Sequence, residues 1–169
     1  MKNYCVDANI FITAWYINYP INIFPSLWEK IANKKDEIIL IKPIFDEIEP
    51  ISSSDHKLEI AEKRTKYPIR MWLIENGFTE TSIDDDINKT SLELEKAYEI
   101  NDISKGADNK DILLISYAKE KNKTVVTLEG NQPQKPKEKY NYKIPLICQE
   151  QKVKCIDFVQ MIGGLGIRI

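Results

Sequence analysis

Apolar positions along the chain alternate between short continuous runs and three-and-four spacings, which predicts strands and helices in turn. Tyr4, Cys5 and Val6 form a run that stops at Asp7, and Ile10, Phe11, Trp15 and Tyr16 follow at spacings suited to one helix face. Phe24, Leu27, Trp28 and Ile31 predict a helix over 24–32, and Ile38 to Ile41 a second buried strand. Pro43 suits the first turn of a helix that carries Ile44, Glu47 and Ile48 until Pro50 ends it. Ser52 to Asp55 reads as a helix-starting cluster ahead of a helical 58–64. Pro68 breaks that helix, the pattern resumes over 69–74 around Trp72, and Glu75, Asn76 and Gly77 supply a stop.

Residues 84–98 read as a helix with Asp84, Asp85 and Asp86 at its positive end. Gly106 and Ala107 open the strongest helical stretch, with Ile112, Leu113, Ile115, Ser116 and Ala118 on one face, and Thr124 to Thr127 is a strand leading to Glu129. Residues 131–141 hold two prolines and no apolar pattern, the composition of a flexible loop. A short helix over 144–149 and a last strand over 154–158 precede the tail glycines Gly163, Gly164 and Gly166. Strands alternating with helices predict an α/β fold of three layers, in which helices flank both faces of a mostly parallel sheet of four to five strands. Right-handed crossovers then bring all strand tips to one edge.

At 169 residues the chain is expected to form a single domain, 1–169, with 43% hydrophobic and 30% charged residues, as in an ordinary globular protein. No run is long enough to span a bilayer and no secretory pattern opens the chain, which predicts a cytoplasmic protein with no membrane partner. Cys5, Cys148 and Cys155 are odd in number and lack Cys-x-x-Cys spacing, and His56 is the single histidine, so neither a disulfide framework nor a Cys/His zinc site is expected. A net charge of -2 does not mark a dedicated nucleic-acid binder, but Lys135, Lys137, Lys139 and Lys143 cluster late in the chain.

The chemistry lies in the acids. Asp7 follows the first strand, where it reads either as a helix N-cap or as a site carboxylate. Glu47 lies one turn into the helix after the second strand, Asp111 near the start of the helix before the Thr124 strand, and Glu129 just after that strand. Each alone has an ordinary explanation as a cap, a surface acid or a turn residue; their shared placement at one sheet edge points instead to a site. Converging carboxylates repel one another unless a cation neutralises them, and oxygen-only ligation favours Mg²⁺ or Mn²⁺.

Asp7-Ala8-Asn9-Ile10-Phe11 resembles the D-x-N-[VI]-[FL] opening of PIN domains. Asp46-Glu47 resembles the family's acid after the second strand, and the runs from Asp111 to Ala118 and from Thr124 to Glu129 resemble its D-x-x-[IL]-[IA]-A-x-A and V-V-T-x-[DE] elements. Most of the chain is covered, and the tail, Lys143-Ile-Pro-Leu-Ile-Cys148 and Gly164-Leu-Gly-Ile-Arg168, is similar to that of an uncharacterised prokaryotic PIN subgroup.

The resemblance implies a PIN-like fold and a metal-dependent nuclease, an endoribonuclease of the VapC toxin type. Asp7, Glu47, Asp111 and Glu129 would be its catalytic, metal-binding acids, with Asn9 and Thr127 as supporting polar groups. Asp108, one turn before Asp111, competes with it as the third ligand. Glu129 departs from the commoner aspartate, and the segment from Ile51 to Pro68 is an insertion relative to the shortest PIN domains. The expected partners are an RNA substrate gripped by Lys135, Lys137 and Lys139, with DNA as the competing substrate, a cognate antitoxin, and a second copy of the chain. The alternative is a catalytically silent PIN-like module that binds RNA or a protein. A haloacid-dehalogenase-like phosphoryl transfer site would need a second aspartate where Asn9 stands.

Overall fold

The two apolar runs that read as buried strands form the middle of the sheet. In the computed structural model, which describes residues 3–169, β1 (Tyr4–Val6) pairs in parallel with β2 (Ile38–Ile41) on one side and β4 (Thr124–Val126) on the other. The short strands β3 (Glu80–Thr81) and β5 (Cys155–Ile156) complete an all-parallel sheet in the order β3-β2-β1-β4-β5. Cys5, Val6, Val125, Val126 and the whole of β2 are buried, which is why these strands are apolar on both faces rather than alternating.

Nine helices connect or follow the strands among the described residues: α1 (Ala8–Thr13), α2 (Pro25–Ala32), α3 (Lys42–Glu47), α4 (Ile60–Lys66), α5 (Pro68–Glu75), α6 (Asp85–Ala97), α7 (Asn109–Lys121), α8 (Ile144–Gln151) and α9 (Phe158–Gly164). The chain steps one way across the sheet from β1 to β3 and then crosses back to β4 and β5. Right-handed crossovers place those two sets of connections on opposite faces, so the fold has three layers. One outer layer is aromatic: Trp28 of α2 meets Phe11, Trp15 and Trp72, and Phe78 packs on Phe11 and Trp72. Trp28 is wholly buried, with its indole N–H donating to Tyr19 O at 2.7 Å, so its apolar area stabilises the fold without an unsatisfied donor. The other layer packs α7 between α6 and α8 and against β1 and β4.

The strands over 4–6 and 38–41 and the helices over 25–32, 85–97 and 144–151 agree with the sequence pattern to within a residue or two. Other elements differ. Beyond Thr13 the backbone widens into a π-helical turn, Ala14–Asn18, which turns Trp15 inward against Trp28 and leaves Tyr16 exposed and bonded to Glu49. Ser53–Asp55 forms its own 3-10 turn because Asp55 accepts from the Tyr67 hydroxyl and from Lys66; α4 starts later, at a Glu59–Glu62 capping box. Pro68 begins α5 rather than only ending α4.

Nor do Gly106 and Ala107 open α7, whose N-cap is Asp108. A Cβ at Gly106 would lie 2.2 Å from Tyr142 O, and Ala107 N donates to the same carbonyl at 2.8 Å, so this segment is a close backbone crossing. The stretch 131–141 is irregular, as its composition predicts, apart from a 3-10 turn at Lys139–Asn141. Gln132 pins it at both ends, donating to Asn141 O at 3.0 Å and accepting from Lys143 N at 2.7 Å.

Candidate active site

The order β3-β2-β1-β4-β5 has its switch point between β1 and β4, where successive connections leave in opposite directions and open a crevice beyond the strand tips. Val6 pairs with Val126, and the ladder continues one step further through Asp7 N, which donates to Val126 O at 3.0 Å. Asp7 and Thr127 therefore leave the sheet side by side. Both are buried, at 4% and 2% exposure, and the Thr127 hydroxyl donates to Asp7 Oδ2 at 3.2 Å.

Asp7 stands at the N-cap position of α1, but its side chain makes no well-formed capping hydrogen bond there and meets only the Asn9 N–H, which weakens the ordinary reason for an aspartate at a helix start. Burial first, and then the Glu129 carboxylate, push its carboxyl from the ordinary 3.8 up to about 6, with Glu47 adding a little. The Thr127 hydroxyl and the neighbouring Asn9 N–H pull the other way. Asn9 itself is exposed in the first turn of α1.

Asp108 and Asp111 divide their labour. Exposed Asp108 caps α7, its Oδ1 accepting from Lys110 N at 2.9 Å and Asp111 N at 3.0 Å. Half-buried Asp111 accepts from Asp108 N at 2.9 Å and also faces inward. Burial drives its carboxyl well above the usual carboxylate range, against that N–H, and the Asp108, Asp7 and Glu129 carboxylates add to the rise. Asp111 thus belongs to the same electrostatic cluster as Asp7 and Glu129.

Glu129 sits two residues past Thr127, whose Oγ1 accepts from its N–H at 3.1 Å, and its Oε2 accepts from Ile144 N at the start of α8 at 2.8 Å. Glu47 ends α3, exposed, with Oε1 3.6 Å from Lys110 Nζ. Two residues outside the sequence motifs hold this arrangement. Arg70 of α5 lies on the Phe45 ring at 4.1 Å and donates to Phe45 O at 2.5 Å and Ile48 O at 2.8 Å, so α5 clamps the turn that carries Glu47. Lys110, the residue before Asp111, brings a cation to the cluster by pairing with Glu47.

As the side chains are turned, no three Asp, Glu, His or Cys groups among the described residues are gathered closely enough to hold one metal ion. Asp7, Asp111, Glu129 and Glu47 each face a protein donor instead, namely Thr127, Asp108 N, Ile144 N and Lys110. The donor set still fits a hard divalent cation: it is all oxygen, it comes from four separate segments, and burial together with neighbouring carboxylates raises Asp7 and Asp111.

Lys135, Lys137 and Lys139 are exposed and do not touch the acids; Lys135 pairs with Glu150 at 2.8 Å. Lys135 lines a cleft of about 520 Å³ that shares Asn131, Pro145 and Gln149 with a second cleft of about 560 Å³, and this second cleft reaches Thr127 and Glu129. No helix among the described residues is long and apolar enough to cross a membrane.

No curated protein matches the chain. The family model described as "Domain of unknown function (DUF4411)" matches residues 4–169, from β1 to the end of the tail that carries the Gly164-Leu-Gly-Ile-Arg168 run, and the chain belongs to that family.

Proposed function

We propose that this chain is a Mg²⁺- or Mn²⁺-dependent nuclease of the PIN type that hydrolyses phosphodiester bonds, with RNA as its preferred substrate. The observation that supports this most directly is Asp7, a buried carboxylate at the switch point that makes no well-formed helix cap and is raised to about 6 by burial and by Glu129. Structural aspartates are normally held low by their donors, whereas this one stands ready for a cation. Asp7, Asp111 and Glu129 would hold the ion, with Glu47 at the rim. A divalent cation there supplies acidified water and offsets charge on the scissile phosphate.

The chain's own residues do the positioning. Thr127 fixes Asp7 through its hydroxyl, Arg70 fixes the Glu47 turn, and Lys110 meets the phosphate backbone. The Lys110–Glu47 pair is half exposed and long at 3.6 Å, a contact worth about 0–1 kcal/mol, so exchanging Glu47 for a phosphate costs little. Lys135, Lys137 and Lys139 extend that grip away from the acids.

Purified protein with Mg²⁺ or Mn²⁺ should cut single-stranded or structured RNA, and chelator should stop it. Asp7→Asn or Asp111→Asn should lose cleavage while keeping much of the RNA affinity; DNA is tested in parallel. Intact RNA and DNA across a range of Mn²⁺ concentrations would sink the nuclease reading.

A silent PIN-like module that binds RNA or a protein is the second reading, favoured by one observation: each acid already has a protein donor and no three are gathered for an ion. The resemblance to VapC-type toxins further supports restraint by a cognate antitoxin. Expression of the chain alone should slow bacterial growth and Asp7→Asn should relieve it; equal growth at matched protein levels removes that support.

A further inference from the structure

The cleft of about 560 Å³ beside the acids runs from Thr127 and Glu129 to the start of α9, and its size falls within the roughly 300–1,000 Å³ of small-molecule sites. Among the described residues its lining contains no Lys or Arg. It carries the carboxylates of Glu129 and Asp157 and the carboxamides of Asn131, Gln149 and Gln160, with Ile156 on its apolar side. A phosphate there would meet like charge and be repelled. The lining suits an uncharged planar group with several donors and acceptors. The adjoining cleft holds Lys135, so a strand lying along both finds a cation for its backbone only outside this one.

We propose that this cleft binds one nucleobase of the strand, next to the phosphate at the acids, and prefers bases with an exocyclic amino group over uracil. The inference rests on reading the acid cluster as a nucleic-acid site. Asp157 commits Oδ1 to Gln160 N at 2.7 Å and so keeps a second oxygen as an acceptor, while Glu129, with Oε2 on Ile144 N, is left to the acid cluster. Gln160 commits its Oε1 to Asp157 N at 3.0 Å, which leaves its Nε2 as a donor. An amino group donates to the free Asp157 oxygen, whereas uracil offers only a carbonyl at the equivalent position. Apolar walls take the base faces, as in sites that receive an unstacked base.

The test is a titration of the ¹⁵N-labelled full chain with free cytidine, adenosine and uridine in chelator, read by chemical-shift changes. Cytidine and adenosine should move the side-chain amide signals of Gln149 and Gln160 and the backbone signal of Gly130, with uridine at least about fivefold weaker. Gln149→Leu, at an exposed position where the fold is insensitive, should weaken cytidine by at least about fivefold. Uridine binding as well as cytidine, shifts confined to other surfaces, or no shifts up to the solubility limit would each overturn the proposal. Neither metal nor cleavage enters this measurement. RNA cut by a protein that ignores nucleosides sinks the cleft alone, and nucleosides bound by a protein that leaves RNA intact sink the nuclease alone.

Discussion

The Thr127 hydroxyl donates to Asp7 Oδ2 at 3.2 Å and accepts from Glu129 N at 3.1 Å, so one buried side chain joins β1 to the turn after β4. Thr127→Val keeps the shape and removes the hydroxyl, leaving a buried carboxylate oxygen without its donor. Urea unfolding in chelator should show a loss of about 1–3 kcal/mol, most of it recovered in Thr127→Ser. Equal stability of the valine variant and the parent would mean that the bond contributes nothing.

Asp7 should also make stability depend on pH. Its folded carboxyl is raised from 3.8 to about 6. Below 3.8 both folded and unfolded chains carry the proton and nothing is lost. Between those values the unfolded chain ionises first, so the stabilising contribution falls as pH rises through about 6 and stays low above it. Without metal, Asp7→Asn should therefore be more stable than the parent at pH about 7.5 by on the order of 1–3 kcal/mol, and the gain should vanish near pH 4. A pH-independent difference would count against the raised carboxyl.

Calorimetry with Mn²⁺ separates the two acids at the start of α7. Asp111→Asn and Asp7→Asn should abolish binding, because both carboxylates lie within the buried cluster. Asp108→Asn should lose about 1 kcal/mol of folding stability or less as a cap while binding Mn²⁺ nearly as the parent does. A binding loss confined to Asp108→Asn would reverse the assignment.

Phosphate grip and chemistry should come apart. Neutralising Lys135, Lys137 and Lys139 together should weaken RNA binding more at low salt than at high salt, with the salt slope reduced by about one unit per lost contact. Adding Lys110→Ala should reduce it further. An unchanged slope would place the strand elsewhere on the surface.

Gly106 lies where a Cβ would meet Tyr142 O at 2.2 Å, and both neighbours of that contact are backbone. Gly106→Ala should cost about 1–3 kcal/mol or more and displace the start of α7 with Asp111 on it. Gly163→Ala is the control: a Cβ there meets nothing within 4 Å, and the same thermal-melt series should find it close to neutral. Equal effects from the two glycines would refute the close crossing.

Much of the fold was legible because hydrophobic period is local information. The runs at Tyr4–Val6, Ile38–Ile41 and Thr124–Val126 are apolar on both faces, and the helices between them carry their own spacing, so an α/β sheet with its carboxyl edge at Asp7 follows from residue order. Glu80–Thr81 escaped because a two-residue edge strand has no apolar pattern to read. The π-helical turn at Ala14–Asn18 escaped because the spacing of Trp15 and Tyr16 suits an ordinary helix until Trp28 and Trp72 decide which ring goes inward.

The sequence by itself determined which acids stand at element ends and that the side-chain donors they offer are oxygen alone. Only the tertiary structure decided what each acid touches. It turns Asp108 to a cap and Asp111 toward Asp7, seats Lys110 on Glu47, brings Arg70 of α5 under the Glu47 turn, and lays Gly106 against Tyr142. These are contacts between segments far apart in the chain. Burial and charge at Asp7 arise from strand order and packing, which no local spacing encodes.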